Sequence, residues 1–436
     1  MDKVSETVAR VQQHSKIDVR LVISVAVLSL MVFFRDMGYF AFAPLHFVAV
    51  VTLISLFLPY NSLRSFFFFY ITVGISVYGL ALFPIMLALI LKNKKLNVFQ
   101  IVFPIIILLF ELFHFASYQF DVDTNRFIIY SFYIILFFYV LFDDNLDDVD
   151  VKNGMKYYIL GTAIASLIIF LHAIINYGFQ DILYETYRMG NNFDDYDSEK
   201  EMVTAMNPNQ LAFYTITAFS ILLYIKGIFR NSLSKVVLMI VLVFAGIMSA
   251  SRTWIIIMAI VLVMYFLFSG MKGKFSFVLV TAIVFILAMR FNTYTEAIYS
   301  RFENRFEEAS LSTAGHRTEI IRDYNQWLAN NPQRMVYGAG SLYYTEICKI
   351  NYSTHNSIQQ IIVCYGILGL LIFTVCIFVY HKRYTRRNQA RFWYCIPFIV
   401  CFIFSQTGQF LSPACMMLPF IAATLPLKLT PSTFQT

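Results

Sequence analysis

The sequence predicts an all-α, polytopic integral membrane protein, and three observations predict it. Of the 436 residues, 59% are hydrophobic and only 14% are charged, more apolar surface than a soluble core can enclose. Several apolar runs approach or exceed the ~20 residues that cross a bilayer as a helix. Those runs do not alternate apolar with polar residues, as the strands of a β-barrel do, and in lipid an isolated span must satisfy its own backbone. The formal charge of +7 does not imply nucleic acid, because the cations sit between apolar runs, where they orient the chain in the membrane.

Apolar runs fall at 21–34, 39–58, 66–91, 98–117, 127–142, 157–177, 211–229, 235–249, 253–268, 275–291, 357–380, 391–408 and 411–427. Clustered Lys and Arg mark the cytoplasmic side. Lys92, Lys94 and Lys95 make one inside loop, and Lys226, Arg230 and Lys235 make a second. Lys272 and Lys274 make a third, and Lys382, Arg383, Arg386, Arg387 and Arg391 a fourth. Spans alternate consistently between these loops. The first run has only 14 residues, about 21 Å of helix, and Lys3, Arg10, Lys16 and Arg20 set its start inside. As a half-span or hairpin arm it leaves 12 spans; as a full crossing it makes 13. The charged start followed by Ala41-Phe42-Ala43 resembles a signal peptide, although Pro44 directly after it argues against cleavage.

The chain divides into N-terminal transmembrane helices (1–177), a first outer loop (178–210), central transmembrane helices (211–291), a large outer loop (292–356) and C-terminal transmembrane helices (357–436). The first loop holds seven acids and two bases, and Asp194, Asp195 and Asp197 read as a solvated acidic face. The acidic stretch 143–150 lies on the cytoplasmic side and lacks the glycine of an EF-hand loop. Five of the six cysteines lie in or beside apolar runs without CxxC spacing, so neither a disulfide framework nor a zinc site is expected.

The large outer loop contains Arg301, Arg305, Arg317, Arg322 and Arg334 but one lysine, Lys349. Arginine offers a planar fork of donors that matches phosphate oxygens, which a solvated surface does not require. Residues 301–309 and 317–328 have the spacing of short amphipathic helices, the second with Ile320, Ile321, Tyr324 and Trp327 along one face. Acids nearby give Arg301 and Arg305 local partners. Arg252, in Ser249-Ala-Ser-Arg-Thr-Trp254 between two apolar runs, is pinned at the outer membrane face, as a snorkelling cation or as an anion hook at the mouth of an intramembrane groove.

His355 stands where the large loop meets the next apolar run. Ser353 or Thr354 as N-cap puts it in the first turn of a helix, where the positive end of the dipole disfavours imidazolium. A neutral imidazole can accept a proton, as a general base must. Gly366 lies eleven residues on, about 16 Å along the axis, so Gly366 and Gly369 are expected to admit a neighbouring helix and fix the rotation of the His355 face.

His355-Asn356, nine residues, then Gly366-Ile-Leu-Gly369 resembles the H-[NSQ]-x9-G-x-x-G pattern of the O-antigen polymerase and O-antigen ligase superfamily. Asn207-Pro208-Asn209 before a span, Ser251-Arg252 at a helix tip and Gly315-His316-Arg317 in the large loop support it. Arg322, fifteen residues, then Gly338 is similar to an R-x15-G motif of the polymerases; the companion R-x10-G is absent around Arg188 and Gly190. The resemblance covers most of residues 200–425. It implies a GT-C-like fold and an inverting, metal-independent glycosyltransferase without cofactor. The donor it implies is a glycan on undecaprenyl diphosphate, at the periplasmic face of the bacterial inner membrane. Further implied partners are the bilayer, a chain-length regulator and a flippase.

On that resemblance, His355 prepares the acceptor hydroxyl with Arg252 beside it in the catalytic pair. Arg252, Arg317, Arg322 and Arg188 are the candidates for diphosphate binding. Asn356, Gly366, Gly369 and Asn209 support the site. A polymerase is favoured over a ligase, because Leu370-Leu371 follows the motif where ligases often have Thr. A different class is a lipid-linked oligosaccharide transporter, in which Glu111 and His114, at i and i+3 of one span, form a proton relay; the same two residues also read as a buried hydrogen-bonded pair or as groove lining.

Overall fold

The computed structural model describes residues 18–73, 79–93, 95–118, 123–178, 182, 189, 206–229, 231–307, 317–384, 392–411 and 417–429. Among these the chain is all-helical, 82% helix with no strand. In chain order the first helices are α1 (Val19–Asp36), α2 (Pro44–Phe57), α3 (Tyr60–Val73), α4 (Leu82–Lys92), α5 (Phe99–Ser117), α6 (Thr124–Leu141) and α7 (Asp148–Tyr177). The central set is α8 (Pro208–Tyr224), α9 (Ser232–Met248), α10 (Arg252–Phe268) and α11 (Met271–Arg290). The large loop forms α12 (Asn292–Glu307), α13 (Arg317–Asn330), α14 (Pro332–Tyr337) and α15 (Tyr344–Cys348). The chain ends with α16 (Ser357–Tyr384), α17 (Phe392–Ser405) and α18 (Leu418–Thr424).

Four described helices are long and apolar enough to cross a bilayer: α5, α6, α7 up to Asn176, and α16. Six shorter apolar segments of 10–17 residues accompany them. The run expected as one span at 66–91 is two helices, α3 and α4, and α3 starts earlier, at Tyr60. Among the described residues, the run at 411–427 yields the short α18 and a 3₁₀ turn over Leu425–Lys428. Pro426 has no N–H to continue the helix.

The centre of the bundle is formed by helices buried on nearly every face. From Leu63 to Val73, α3 exposes almost nothing, and Phe66, Phe67, Phe68 and Phe69 are fully enclosed. Helix α8 is similarly surrounded from Gln210 to Leu222, packed among α7, α9 and α17. A helix apolar all round must be interior or face lipid.

Polar side chains gather at the two ends of the bundle. At one end the Lys92 ammonium donates to the carbonyls of Ser55 and Leu58, Asn93 accepts from Asn145, and Arg383 forks onto Asp144. Arg64 and Asp143, 3% and 1% exposed, pair there at 3.4 Å, and the Tyr60 hydroxyl donates to Asp143 at 2.7 Å. Lys92, Asp143, Asp144 and Arg383 belong to the loops expected inside, and the length of α16 separates them from His355.

Candidate functional site

Three side chains at the opposite end come from three different elements, each at a helix start. Helix α9 ends in a turn in which Ala250 adopts φ 47°, left-handed backbone that a residue with a Cβ enters at a cost. The turn leaves no slack, so α10 begins at once with Arg252. The carbonyl of Met248 accepts the N–H of Met189 at 3.0 Å, tying the first outer loop to the same corner. Arg317 opens α13, whose buried face is Ile320, Tyr324 and Leu328.

His355 does not lie in the first turn of its helix. Asn356 is the N-cap of α16: its side-chain carbonyl accepts the N–H of Gln359 at 2.9 Å, and its backbone carbonyl accepts from Gln360 at 2.8 Å. Ser, Thr and Asn all cap helices; the bond from Gln359 puts the cap at Asn356 and so moves His355 one residue outside the helix. Gln359 donates from its side chain to Ile321 at 2.8 Å and to Asn325 at 3.1 Å. One contact thus fixes the start of α16 against the helix that carries Arg317.

Arg252 lies close enough to Arg317, and Arg317 to His355, for each pair to interact through charge. Burial first, and then the Arg252 charge, pushes the Arg317 pKa below its ordinary value. Burial first, and then the Arg317 guanidinium, holds the His355 imidazole below its usual range. Both effects favour the neutral imidazole. The starts of α10, α13 and α16 add the positive ends of three helix dipoles, each equivalent to roughly +0.5 charge. Two guanidiniums, three helix starts and an uncharged proton acceptor make a site for a multiply charged anion beside a group to be deprotonated.

The other expected residues divide. Arg322 is 74% exposed and faces Asp323 at 3.8 Å. Asn209 sits in the first turn of α8, its N–H bonded by the capping side chain of Asn207 at 2.9 Å. Arg188, Gly315 and His316 lie outside the described residues, as do Asp194, Asp195, Asp197 and the side chains of Arg301 and Arg305. Among the described residues no three His, Cys, Asp or Glu side chains form a metal-ion donor set.

Gly366 does not lie within a continuous helix. It has φ 67° and ψ −167° and breaks α16 into Ser357–Tyr365 and a longer lower part. A Cβ there would stand 2.1 Å from the Val336 carbonyl oxygen, and one at Gly338 (φ 78°) would stand 2.3 Å from the Cys364 carbonyl. The two glycines let the backbone after α14 press into the break. A Cβ at Gly369 would meet the side chain of Tyr365, within α16 itself, so that glycine relieves the bend rather than admitting a neighbour. Glycine spacing carried no sign of the break, because the same spacing suits close helix packing.

Residues 236–374, about a third of the chain, match the family model described as O-antigen ligase. That segment runs from α9 into α16 and takes in Arg252, Arg317, Arg322, His355, Asn356, Gly366 and Gly369. Apolar helices and the matched segment point to an integral membrane protein, and the family that the segment resembles suggests a glycosyltransferase-like enzyme. The match is to the O-antigen polymerase/ligase superfamily. No curated protein matches the chain.

Proposed function

We propose that the chain is a surface-polysaccharide (O-antigen) polymerase that moves a growing glycan from undecaprenyl diphosphate onto a second lipid-linked repeat unit, at the periplasmic face of the bacterial inner membrane. The observation that carries this reading is the meeting of Arg252, Arg317 and neutral His355 at three helix starts. An acceptor hydroxyl attacks the anomeric carbon from the side opposite the diphosphate, forming the new glycosidic bond with inversion. His355 takes the hydroxyl proton as the bond between the anomeric carbon and the phosphate oxygen breaks. The diphosphate leaves with the bonding pair, and Arg252 and Arg317 stabilise the charge it gains. Side chains supply that positive charge here, and a chelator added to the assay tests whether a divalent ion is also required.

A narrow, partly open apolar crease between α6, α16, α17 and α18, with a volume of about 70 Å³, reaches Ser357, two residues from His355. Phe373, Phe398 and Tyr380 line it toward the other end. It suits a strip of polyprenyl chain lying along the protein with its head group at the cluster.

The family description favours one second reading, a ligase that delivers the glycan to lipid A–core. A deletion strain separates the two. Lipid A–core bearing a single repeat supports the polymerase; bare core with intact lipid-linked polymer contradicts it and identifies a ligase.

A further inference from the structure

Glu111 and His114 are fully enclosed in α5, and the reaction proposed above uses neither. Since α5 ends at Ser117, they lie about 9 and about 4 Å inside its outer end. Glu111 Oε1 accepts the backbone N–H of Ser341 at 2.9 Å. His114 Nε2–H donates to the Tyr337 carbonyl at 2.9 Å. One turn on, the Tyr118 hydroxyl donates to the Ala339 carbonyl at 3.2 Å. Positions 111, 114 and 118 share one helix face, so α5 offers three rungs to the backbone of 337–341. That backbone closes the break in α16: the N–H of Ala339 bonds the Val363 carbonyl and the N–H of Gly340 bonds the Cys364 carbonyl, each at 2.8 Å. Irregular backbone at membrane depth persists only where protein groups satisfy it.

We infer that Glu111 and His114 are positioning residues for the reaction: they hold 337–341 in the break, which fixes the segment Ser357–Tyr365 and with it His355 against Arg317. The inference rests on the reading of His355 and Arg317 given above. The segment is anchored at its start by Gln359 and at its far end by this clamp. Glu111 acts as an acceptor and His114 as a donor, so neither role needs a change of protonation. Glutamine can supply either one, whereas leucine supplies neither.

The test uses purified full-length protein in detergent with Glu111→Leu, Glu111→Gln, His114→Leu and His114→Gln. Backbone hydrogen exchange over 337–341 is read without substrate, and kcat and KM are read for transfer between lipid-linked oligosaccharides. Both leucine variants are expected to exchange faster at 339–341 and to lose at least about tenfold in kcat, with KM within about threefold of wild type. Both glutamine variants are expected to stay near wild type in both readouts. Leucine variants with unchanged exchange, or with faster exchange and full kcat, overturn the inference. So do glutamine variants as inactive as leucine, which is how a proton relay behaves. Should leucine prevent folding, Glu111→Asp, which retracts the acceptor by one methylene, is expected to be intermediate in both readouts, and wild-type behaviour there overturns it. No transfer by the wild type sinks the proposed reaction and the positioning role with it, while faster exchange in the leucine variants leaves the clamp itself standing.

Discussion

At the residue scale, the imidazole of His355 and the guanidinium of Arg317 are coupled, and the coupling has a sign. In the proposed reaction the neutral form of His355 is the active one, and burial and Arg317 hold its pKa below that of free imidazole, about 6.5. The acid limb of kcat/KM therefore lies below that value, with activity rising as pH rises through it. Arg317→Gln removes the cation that disfavours imidazolium, so the limb moves up toward 6.5; burial remains, so the move is partial. A pH–rate profile of the variant with an unmoved or lowered limb would contradict the coupling. The types of these residues were legible in the sequence, because arginines outside the membrane need a reason and His355 stood at a motif. The N-cap was not, since Ser353, Thr354 and Asn356 are all capping residues and only the contact with Gln359 decides among them.

At the element scale, the helix that follows the site is built in two pieces, and Gly338 and Gly366 allow it. Gly338→Ala forces a Cβ into left-handed backbone and against the Cys364 carbonyl. The backbone term alone is about 1–2 kcal/mol, and the contact adds to it. The variant is expected to melt earlier in detergent than wild type by at least that free energy, and an unchanged melt would show that the break relaxes without the glycine. The R-x15-G spacing had marked Gly338, although its physical reason, backbone against backbone, is invisible in one dimension. The long apolar run 357–380 likewise hid the break, because hydropathy does not register a single left-handed residue. The run at 66–91 merged α3 with α4 because the residues between them do not interrupt the apolar run.

At the scale of the whole molecule, the all-helical architecture was legible because composition and run length force it. The pairing of helices was not, because lipid-facing and buried faces are equally apolar. Arg64 illustrates this: it lies in the polar start of α3, yet it is enclosed with Asp143, just beyond the end of α6. Breaking a buried pair leaves an uncompensated charge and costs about 3–5 kcal/mol, whereas removing both partners is often near neutral. Arg64→Met and Asp143→Leu are each expected to destabilise by about that amount, and the double variant to recover most of it. Additive losses in the double variant would mean that the pair does not act as a unit.

The central claim is that two guanidiniums and a neutral imidazole at the outer end of the bundle transfer a glycan off a lipid diphosphate. The most direct measurement is polymer formation by the purified protein in detergent from lipid-linked repeat units, for wild type, His355→Ala and Arg317→Ala, each checked for folding. The account predicts polymer from the wild type, and rates lower by about 10²-fold or more for either variant. Polymer made by folded His355→Ala at the wild-type rate would contradict it.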